Sequence, residues 1–506
     1  MGGWMNYRQV WWMLVVGFVL AISTAGWAAN SRIIVAVPDE PPSLDPTTNA
    51  SAAIDQILNQ NVYEGLVRVT PTGEIEPALA ESFEVAPDGQ TYTFHLRQGV
   101  SFHNGDSFTA SDVVATFERD MDSATGHPHP EYYTHIEQIE TPDPYTVIFR
   151  MSETNVGFLS LLALGDSVIL PEEIHADLAH HPVGTGPFQF GKWVVGDHLR
   201  LERYPDYYHE GVPLLEAVTF RFISDFASAL AALLAGDVDV IAKVPAEIAL
   251  SVEGDQRFQT IAGPQNLVQI LAINNARSPF SDVKVRQAIA HALDRNTIIE
   301  GTMFGYGQPI GSHLTPASPY YVDLTGLYPY DLEQARRLLS EAGHPDGFSA
   351  TLTLPQNYEI HVRTGEIVAD QLSRVGINLT IELVEWGQWL SRVYTNANYD
   401  LTIIGHIGKL DPGAMLASYG PGNESYYFRR GYENPLLDSL LDEGCITVNE
   451  ERRAAIYAEI QEIIARDVVN FFIQDPYQII IAKQEITGIE LYPIYLINVT
   501  SLTWSS

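Results

Sequence analysis

The segment GHIGKLDPGAML, residues 405–416, places a lysine two positions before an Asp-Pro pair. The whole chain has five lysines against 63 Asp and Glu residues, so a lysine here invites a chemical explanation. The ammonium of Lys409 could hold a carboxylate or phosphate of a bound molecule, with Asp411 ordering the loop. It could equally be a solvated loop lysine, or one paired with Asp411 itself. The residues alone leave both interpretations open.

Catalytic signatures that can be recognised by spacing are missing from the sequence. G-x-S-x-G, H-E-x-x-H, the P-loop and G-x-G-x-x-G do not occur. Carboxylates are so abundant that finding two of them together says nothing about acid–base catalysis. We therefore expect a protein that is not an enzyme and that carries no cofactor, with a hydrolase of glycosides or esters as the rival from another functional class.

Four histidines invite a metal-binding interpretation, because histidine is the commonest transition-metal ligand. They form two close pairs, His127 with His129 and His180 with His181, in proline-containing segments. No cysteine or glutamate stands at a fixed ligand spacing from them. We interpret them as solvated loop residues and expect no metal site.

The first 28 residues differ in composition from the rest of the chain. One positive charge, Arg8, precedes an apolar run at 11–22 and then small residues up to Ala28. This order predicts a secretory signal peptide cleaved after Ala28. The run of twelve apolar residues is shorter than the roughly 20 of a membrane-spanning helix. No cysteine lies near the cleavage site, so we expect a periplasmic protein without a lipid anchor; an uncleaved anchor is the alternative.

Composition limits the partners and the architecture. The formal net charge of −35 excludes nucleic acid, whose binding needs clustered Lys and Arg. Hydrophobic residues make up 46% of the chain, which is ample for burial, and the single cysteine, Cys445, cannot form an internal disulfide. A chain of 506 residues exceeds what one core supports, so two or three lobes are expected.

Hydrophobic periodicity predicts alternating strands and helices. Residues 91–98 and 145–151 alternate with period two, as half-buried strands do. Helical stripes occupy 109–121, where Thr109 and Asp112 could cap the helix, and also 331–343 and 449–467. This alternation favours an α/β fold.

Several segments, in this order, resemble the large family 5 solute-binding proteins of peptide and nickel ABC importers. The segments are VPDEPPSLDP (37–46), the block 63–119 containing YEGLVRVTPTGEIEPALAESFEVAPDG, PVGTGPFQF (182–190), LLAGDVDVI (233–241), LAINNARSPFSDVKVRQAIAHALDR (271–295), VEWGQWL (384–390) and NPLLDSLLDE (434–443). Their order and spacing carry the resemblance over nearly all of the chain after residue 28.

The resemblance implies an α/β fold of the periplasmic-binding-protein type (type II, cluster C), a two-lobed trap with an extra inserted domain. Carried onto this chain, it assigns lobe I to 30–52, 184–274 and 490–506. It assigns the inserted domain to 53–183 and lobe II to 275–489. Hinge closure over a solute is the expected mode of capture, with 271–275 as a crossover between the lobes.

The resemblance also suggests which residues contact the solute. In peptide-binding relatives an aspartate just before the Asp-Pro segment holds the peptide ammonium, and Lys409 stands there in this chain; shifting the alignment by one gap would give that role to Asp411. His406 matches a pocket tryptophan, Trp386 matches a cavity residue, Tyr132 lies in a region that supplies a cleft tyrosine, and Glu40 lies on a segment that runs along bound peptides. Each of them could instead have a purely structural role.

These observations predict a monomeric periplasmic protein that binds a peptide or peptide-like solute and delivers it to ABC permease subunits in the inner membrane. Lys409 favours an anionic or amine-free solute, because two cations in a desolvated pocket repel each other. A nickel chelate or haem is the alternative within the same family.

Overall fold

The computed structural model describes residues 31–174, 177–421, 427 and 429–505. The predicted signal peptide lies outside the described residues. In chain order the described strands are β1 (Arg32–Val37), β2 (Val67–Val69), β3 (Ile75–Pro77), β4 (Ala80–Val85), β5 (Thr91–Leu96), β6 (Ile136–Asp143), β7 (Thr146–Met151), β8 (Phe188–Val194), β9 (His198–Arg203), β10 (Ala217–Phe222), β11 (Val240–Ile241), β12 (Phe258–Gly263), β13 (Leu267–Ile273), β14 (Gly307–Pro309), β15 (Phe348–Pro355), β16 (Ile377–Val384), β17 (Leu401–Ile407), β18 (Asn470–Pro476), β19 (Gln478–Lys483), β20 (Ile486–Thr487) and β21 (Thr503–Trp504).

The described α-helices are interspersed among these strands, which confirms the predicted α/β class. Their bounds are Ala52–Leu58, Ala110–Met121, Phe158–Leu162, Phe226–Ala235, Ala246–Leu250, Val283–Ala292, Arg295–Met303, Leu332–Glu341, Glu359–Ser373, Trp386–Trp389, Pro412–Leu416, Pro435–Ile446 and Glu450–Arg466. The three predicted helices near 109, 331 and 449 are all present. None of the described helices is long and apolar enough to cross a membrane.

The first large sheet has seven strands in the order β12-β19-β11-β1-β10-β9-β8. Its central strand, β1, runs parallel to β10 and β11, and the remaining pairs are antiparallel. Ile33 and Val35 point into one apolar core, whereas Ile34 and Ala36 contact a second core on the opposite face. Burial on both faces explains why β1 is an almost continuous apolar run.

The second large sheet has six strands in the order β14-β18-β13-β17-β15-β16. Strand β17 pairs antiparallel with β13 and parallel with β15. Leu401 and Ile403 are buried on one face of the sheet, and Ile404 packs on the other. The strand ends at Ile407, so the second sheet delivers the chain directly to Lys409.

An antiparallel sheet of order β4-β5-β7-β6 forms a separate unit, which is inserted in the sequence between β1 and β8 of the first large sheet. The predicted strands near 91 and 145 are β5 and β7, and both are present. Phe94 and Phe117 each contact Phe149 edge to face, with ring centroids 5.7 and 5.0 Å apart. The predicted cap is also present, since Asp112 accepts a hydrogen bond of 2.8 Å from the backbone N–H of Thr109.

The chain crosses between the two large sheets at two neighbouring places. It leaves the first sheet after Gly263 to enter β13, and it returns from β18 to β19 through Tyr477. The lobe boundaries implied by the family resemblance place β13 in lobe I and β19 in lobe II. In the structure, β13 pairs in the second sheet and β19 pairs in the first. Both strands are apolar runs of similar length, and only their hydrogen-bond partners decide which sheet takes them.

The side chain of Asp475 ties these crossovers together. Its carboxylate accepts hydrogen bonds from the backbone N–H groups of Leu267 and Gln265, at 3.1 and 3.4 Å. Burial raises the pKa of this carboxyl to about 6. The two connecting strands are therefore coupled through one buried acid.

Candidate functional site

Three adjoining cavities form a cleft between the two large sheets. The lysine cavity (about 380 Å³) is lined by Lys409 and Tyr132, the middle cavity (about 250 Å³) by Lys243 and Leu267, and the tryptophan cavity (about 500 Å³) by Trp386 and His406. Ile407 and Tyr495 line all three cavities. We call these three cavities together the cleft.

The lysine cavity lies where three parts of the chain meet. The helix Ala52–Leu58 contributes Asp55, the segment after the antiparallel sheet contributes Leu161, and the loop after β17 contributes Lys409. Lys409 is exposed to this space, and no described carboxylate lies within 4 Å of its Nζ. Its ammonium is thus available to an anion in the cavity.

Asp411 has a different environment. Its carboxylate forms an ion pair with the guanidinium of Arg453, and both side chains are at least 90% buried. The same carboxylate caps the helix Pro412–Leu416 by accepting a 3.0 Å hydrogen bond from the N–H of Ala414. Asp411 therefore pairs with Arg453 and not with Lys409, and the guanidinium of Arg453 balances its charge at the wall of the lysine cavity.

Trp386 and His406 are brought together in the tryptophan cavity. Trp386 is half-buried and stacks on the buried Trp389, with ring centroids 5.2 Å apart and planes 7° from parallel. His406 shares a hydrogen bond of 2.6 Å between its Nε2 and the hydroxyl of Tyr427. Burial lowers the pKa of His406 to about 4, so the imidazole is neutral at physiological pH.

The other two predicted contact residues lie in separate places. Tyr132 lines the lysine cavity and stacks on His129 with ring centroids 4.8 Å apart. Burial raises the pKa of Tyr132 to about 12, which keeps its hydroxyl protonated. Glu40 lines none of the three cavities: its carboxylate accepts hydrogen bonds from Trp193 Nε1 and from the N–H of Gly196, both at 2.9 Å. Glu40 thus holds the β8–β9 hairpin.

The structure adds cleft residues that the sequence did not single out. Asp55 lines the lysine cavity, and burial, together with the nearby charge of Asp166, raises the pKa of its carboxyl to about 7. Lys243 follows the short strand β11 and lines the middle cavity. The scarcity of lysine was a signal that could have drawn attention to Lys243. Tyr495, near the C-terminus, had no such signal.

Comparisons with known proteins identify this architecture. Residues 74–427 match the family described as bacterial extracellular solute-binding proteins, family 5. The chain belongs to that family. Among the described residues there is no group of three or more His, Cys, Asp or Glu side chains placed to hold a metal ion.

Members of family 5 with known names support the assignment over almost the whole chain. A glutathione-binding protein GsiB of Escherichia coli O1:K1 is 30% identical, with 89% of this chain and 90% of that protein covered. The solved structure of AgaA with agropinic acid, from A. tumefaciens R10, is 29% identical with a TM-score of 0.70, covering 94% and 99% of the two chains.

A third family 5 relative is DppA from Helicobacter pylori, solved in complex with the peptide STSA. It is 27% identical with a TM-score of 0.72, covering 94% of this chain and 98% of DppA. These matches confirm the periplasmic-binding-protein-like α/β fold expected from the sequence. The three named relatives are binding proteins, and DppA is described as an ABC transporter-associated periplasmic binding protein. The chain is a solute-binding component of that kind.

Proposed function

We propose that this family 5 protein is exported by a cleavable signal peptide and, as a non-catalytic monomer, captures a peptide-like solute with an anionic group. The solute occupies the cleft and passes to ABC permease subunits in the inner membrane. Lys409 holds the anionic group, while Trp386, His406 and Tyr132 contact the remainder. Asp411 acts indirectly by ordering the Lys409 loop.

One observation carries this proposal: the ammonium of Lys409 faces the lysine cavity, and no carboxylate among the described residues lies within 4 Å of it, although the chain is rich in acids. The neighbouring Asp411 is paired with Arg453 and does not compete for it. A cation at the wall of a cavity attracts an anionic ligand more strongly than it would in bulk water, because the effective dielectric constant near the protein is lower.

Closure of the cleft follows from the way the sheets are joined. We take the two large sheets as the cores of the two lobes and the crossovers at 264–266 and 477 as the hinge between them. Two short connections allow the lobes to rotate as rigid bodies around a bound solute. Closure would bring Lys243, next to the first sheet, towards the end of β17 in the second.

The named relatives support a peptide-like solute of this charge. GsiB is named for glutathione, AgaA was solved with agropinic acid, and DppA was solved with a peptide. Glutathione carries two carboxylates and agropinic acid is named as an acid, so an anionic group is common to both. Lys409 provides a matching cation in this chain.

The test combines native mass spectrometry with calorimetry on the mature protein. Any small molecule retained through purification is released by unfolding and identified, and glutathione and alanyl-alanine are titrated in parallel.

Lys409→Met should weaken binding of the retained compound or of glutathione by about 10- to 100-fold, the cost of one charge-assisted contact. The matched control is Lys192→Met, an exposed lysine on β8 that lines none of the three cavities. Equal affinities in wild type and Lys409→Met would overturn the assignment of Lys409.

A further inference from the structure

Lys243 occupies an unusual backbone conformation next to the middle cavity. Its φ angle is +60°, in the left-handed region that residues other than Gly, Asn and Asp seldom adopt. The backbone on both sides is fixed by hydrogen bonds, from Ala242 N–H to Ala36 O at 3.0 Å and from Val244 N–H to Ile479 O at 2.9 Å. The sheet therefore holds this lysine in place. Such strain persists where the surrounding structure imposes it, and it is concentrated at ligand sites.

The side chain of Lys243 points towards the shared centre of the cleft. Its Nζ lies 5.5 Å from the ring centroid of Tyr495, the residue that lines all three cavities. The residue is exposed, and no described carboxylate lies within 4 Å of its Nζ. Its location, just beyond the carboxyl end of a strand that runs parallel to β1, is typical of ligand sites in α/β sheets.

The charges around Lys243 leave it available to a ligand. Glu490 also lines the middle cavity, but its carboxylate accepts a 3.1 Å hydrogen bond from the hydroxyl of Tyr492. Asp39 is near enough to Tyr495 to help raise the pKa of that phenol, yet it is not within ion-pair distance of Lys243. Among the described residues that line the cleft, Lys243 and Lys409 are the only Lys or Arg side chains.

We propose that Lys243 is a second anion anchor, which holds a second carboxylate of a solute whose first anionic group lies at Lys409. The two lysines line adjoining cavities on either side of Ile407 and Tyr495, so the preferred solute is an elongated molecule with two separated carboxylates and not a compact one. This inference rests on the proposed function, because it takes the cleft as the solute site.

The test uses glutathione as the dicarboxylate probe, its monoethyl ester as the probe with one carboxylate masked, and alanyl-alanine as the monocarboxylate peptide. Calorimetric titrations compare the wild type with Lys243→Asn, Lys243→Arg and the control Lys192→Asn. Asparagine tolerates the left-handed backbone, so Lys243→Asn should fold and melt like the wild type. Lys243→Asn should weaken the affinity for glutathione by about 10- to 100-fold and change the affinity for the monoethyl ester by less than about threefold. Lys243→Arg should bind glutathione with nearly wild-type affinity, because it keeps the positive charge.

The outcomes separate this inference from the proposed function. If Lys409→Met weakens glutathione binding but Lys243→Asn does not, the role of Lys243 as a second anchor is overturned and the proposed function stands. If alanyl-alanine binds the wild type and glutathione does not, the preference for a solute with two carboxylates is likewise overturned. If none of the three probes binds at millimolar concentration and no compound is retained on purification, the proposed function fails together with the second anchor.

Discussion

The carboxylate of Asp411, two residues after Lys409 and lining the same cavity, forms a buried ion pair with the guanidinium of Arg453. Arg453 also donates a 3.0 Å hydrogen bond to the hydroxyl of Tyr320 and lies over the ring of Tyr457 at 5.1 Å. This pair links the last long helix, Glu450–Arg466, to the lysine cavity. It also balances the charge of Asp411, which itself lines the lysine cavity.

Removing one partner of this pair should destabilise the protein strongly. Arg453→Met leaves the buried Asp411 charge without a counter-ion, and we expect the free energy of unfolding to fall by about 3 kcal/mol. Arg452→Met, on the same helix, breaks an exposed ion pair with Glu443 and should cost no more than about 1 kcal/mol. Urea denaturation of both variants checks this. Similar losses for the two variants would show that the Asp411 pair contributes little.

The glycine before Lys409 should be needed for the shape of the lysine loop. A Cβ added at Gly408 would lie 2.1 Å from Oδ1 of Asn266, which already accepts a 3.0 Å hydrogen bond from Thr315 Oγ1. Gly408→Ala should therefore shift the loop and weaken glutathione binding by about tenfold or more, a loss of about 1.4 kcal/mol or more.

The control for this substitution is Gly326→Ala, where an added Cβ meets nothing within 4 Å. It should leave both the affinity and the melting temperature unchanged. Calorimetry and thermal melting of the two variants provide the comparison. Wild-type affinity in Gly408→Ala would show that the loop adapts without moving Lys409.

Asp120 should make the stability depend on pH. Its carboxylate is fully buried and has no hydrogen-bond partner in the part of the chain that the structure describes. Burial, with the charges of Asp166 and Asp45 opposing Arg119, raises its pKa to about 8. The folded protein therefore keeps a proton that the unfolded chain loses near pH 4, and this group's contribution to stability falls as pH rises from about 4 to about 8.

Asp120→Asn removes this titration. The variant should gain at least about 1 kcal/mol over the wild type at pH 9 and should show a smaller gain at pH 5. Thermal melts across this range measure the effect, with exposed Asp237→Asn as the matched control. A constant difference between Asp120→Asn and wild type at all pH values would contradict the raised pKa.

The two stacked tryptophans should differ in what they contribute. Trp386 is half-buried and lines the tryptophan cavity, so Trp386→Ala should weaken glutathione by about tenfold, close to 1.4 kcal/mol, with little loss of stability. Trp389 is 2% exposed and donates a 3.0 Å hydrogen bond to Thr402 Oγ1. Trp389→Ala should therefore cost about 3–5 kcal/mol of unfolding free energy. Calorimetry measures the affinity for glutathione and urea denaturation measures the free energy of unfolding of both variants. Equal losses of affinity in the two variants would contradict the assignment of solute contact to Trp386.

Sequence periodicity predicted the local elements well, because side-chain spacing reflects which faces are buried. The alternation at Thr91–Leu96 marks a strand with one buried face, and the pair Thr109 and Asp112 marks the start of a helix. These features depend on neighbours within a few residues. The family could also be predicted from the sequence, because the segments that carry the resemblance can be compared one after another along the chain.

The sequence determined the class of this protein, its charge and its α/β elements, and it drew attention to Lys409. Only the tertiary structure decided that Asp411 pairs with Arg453, that Glu40 holds a hairpin, and which of the two large sheets takes β13 and which takes β19. It alone placed Lys243 and Tyr495 in one cleft with Lys409. These contacts join residues far apart in the chain, and pairing across such distances is fixed by packing and hydrogen-bond partners, which local spacing does not record.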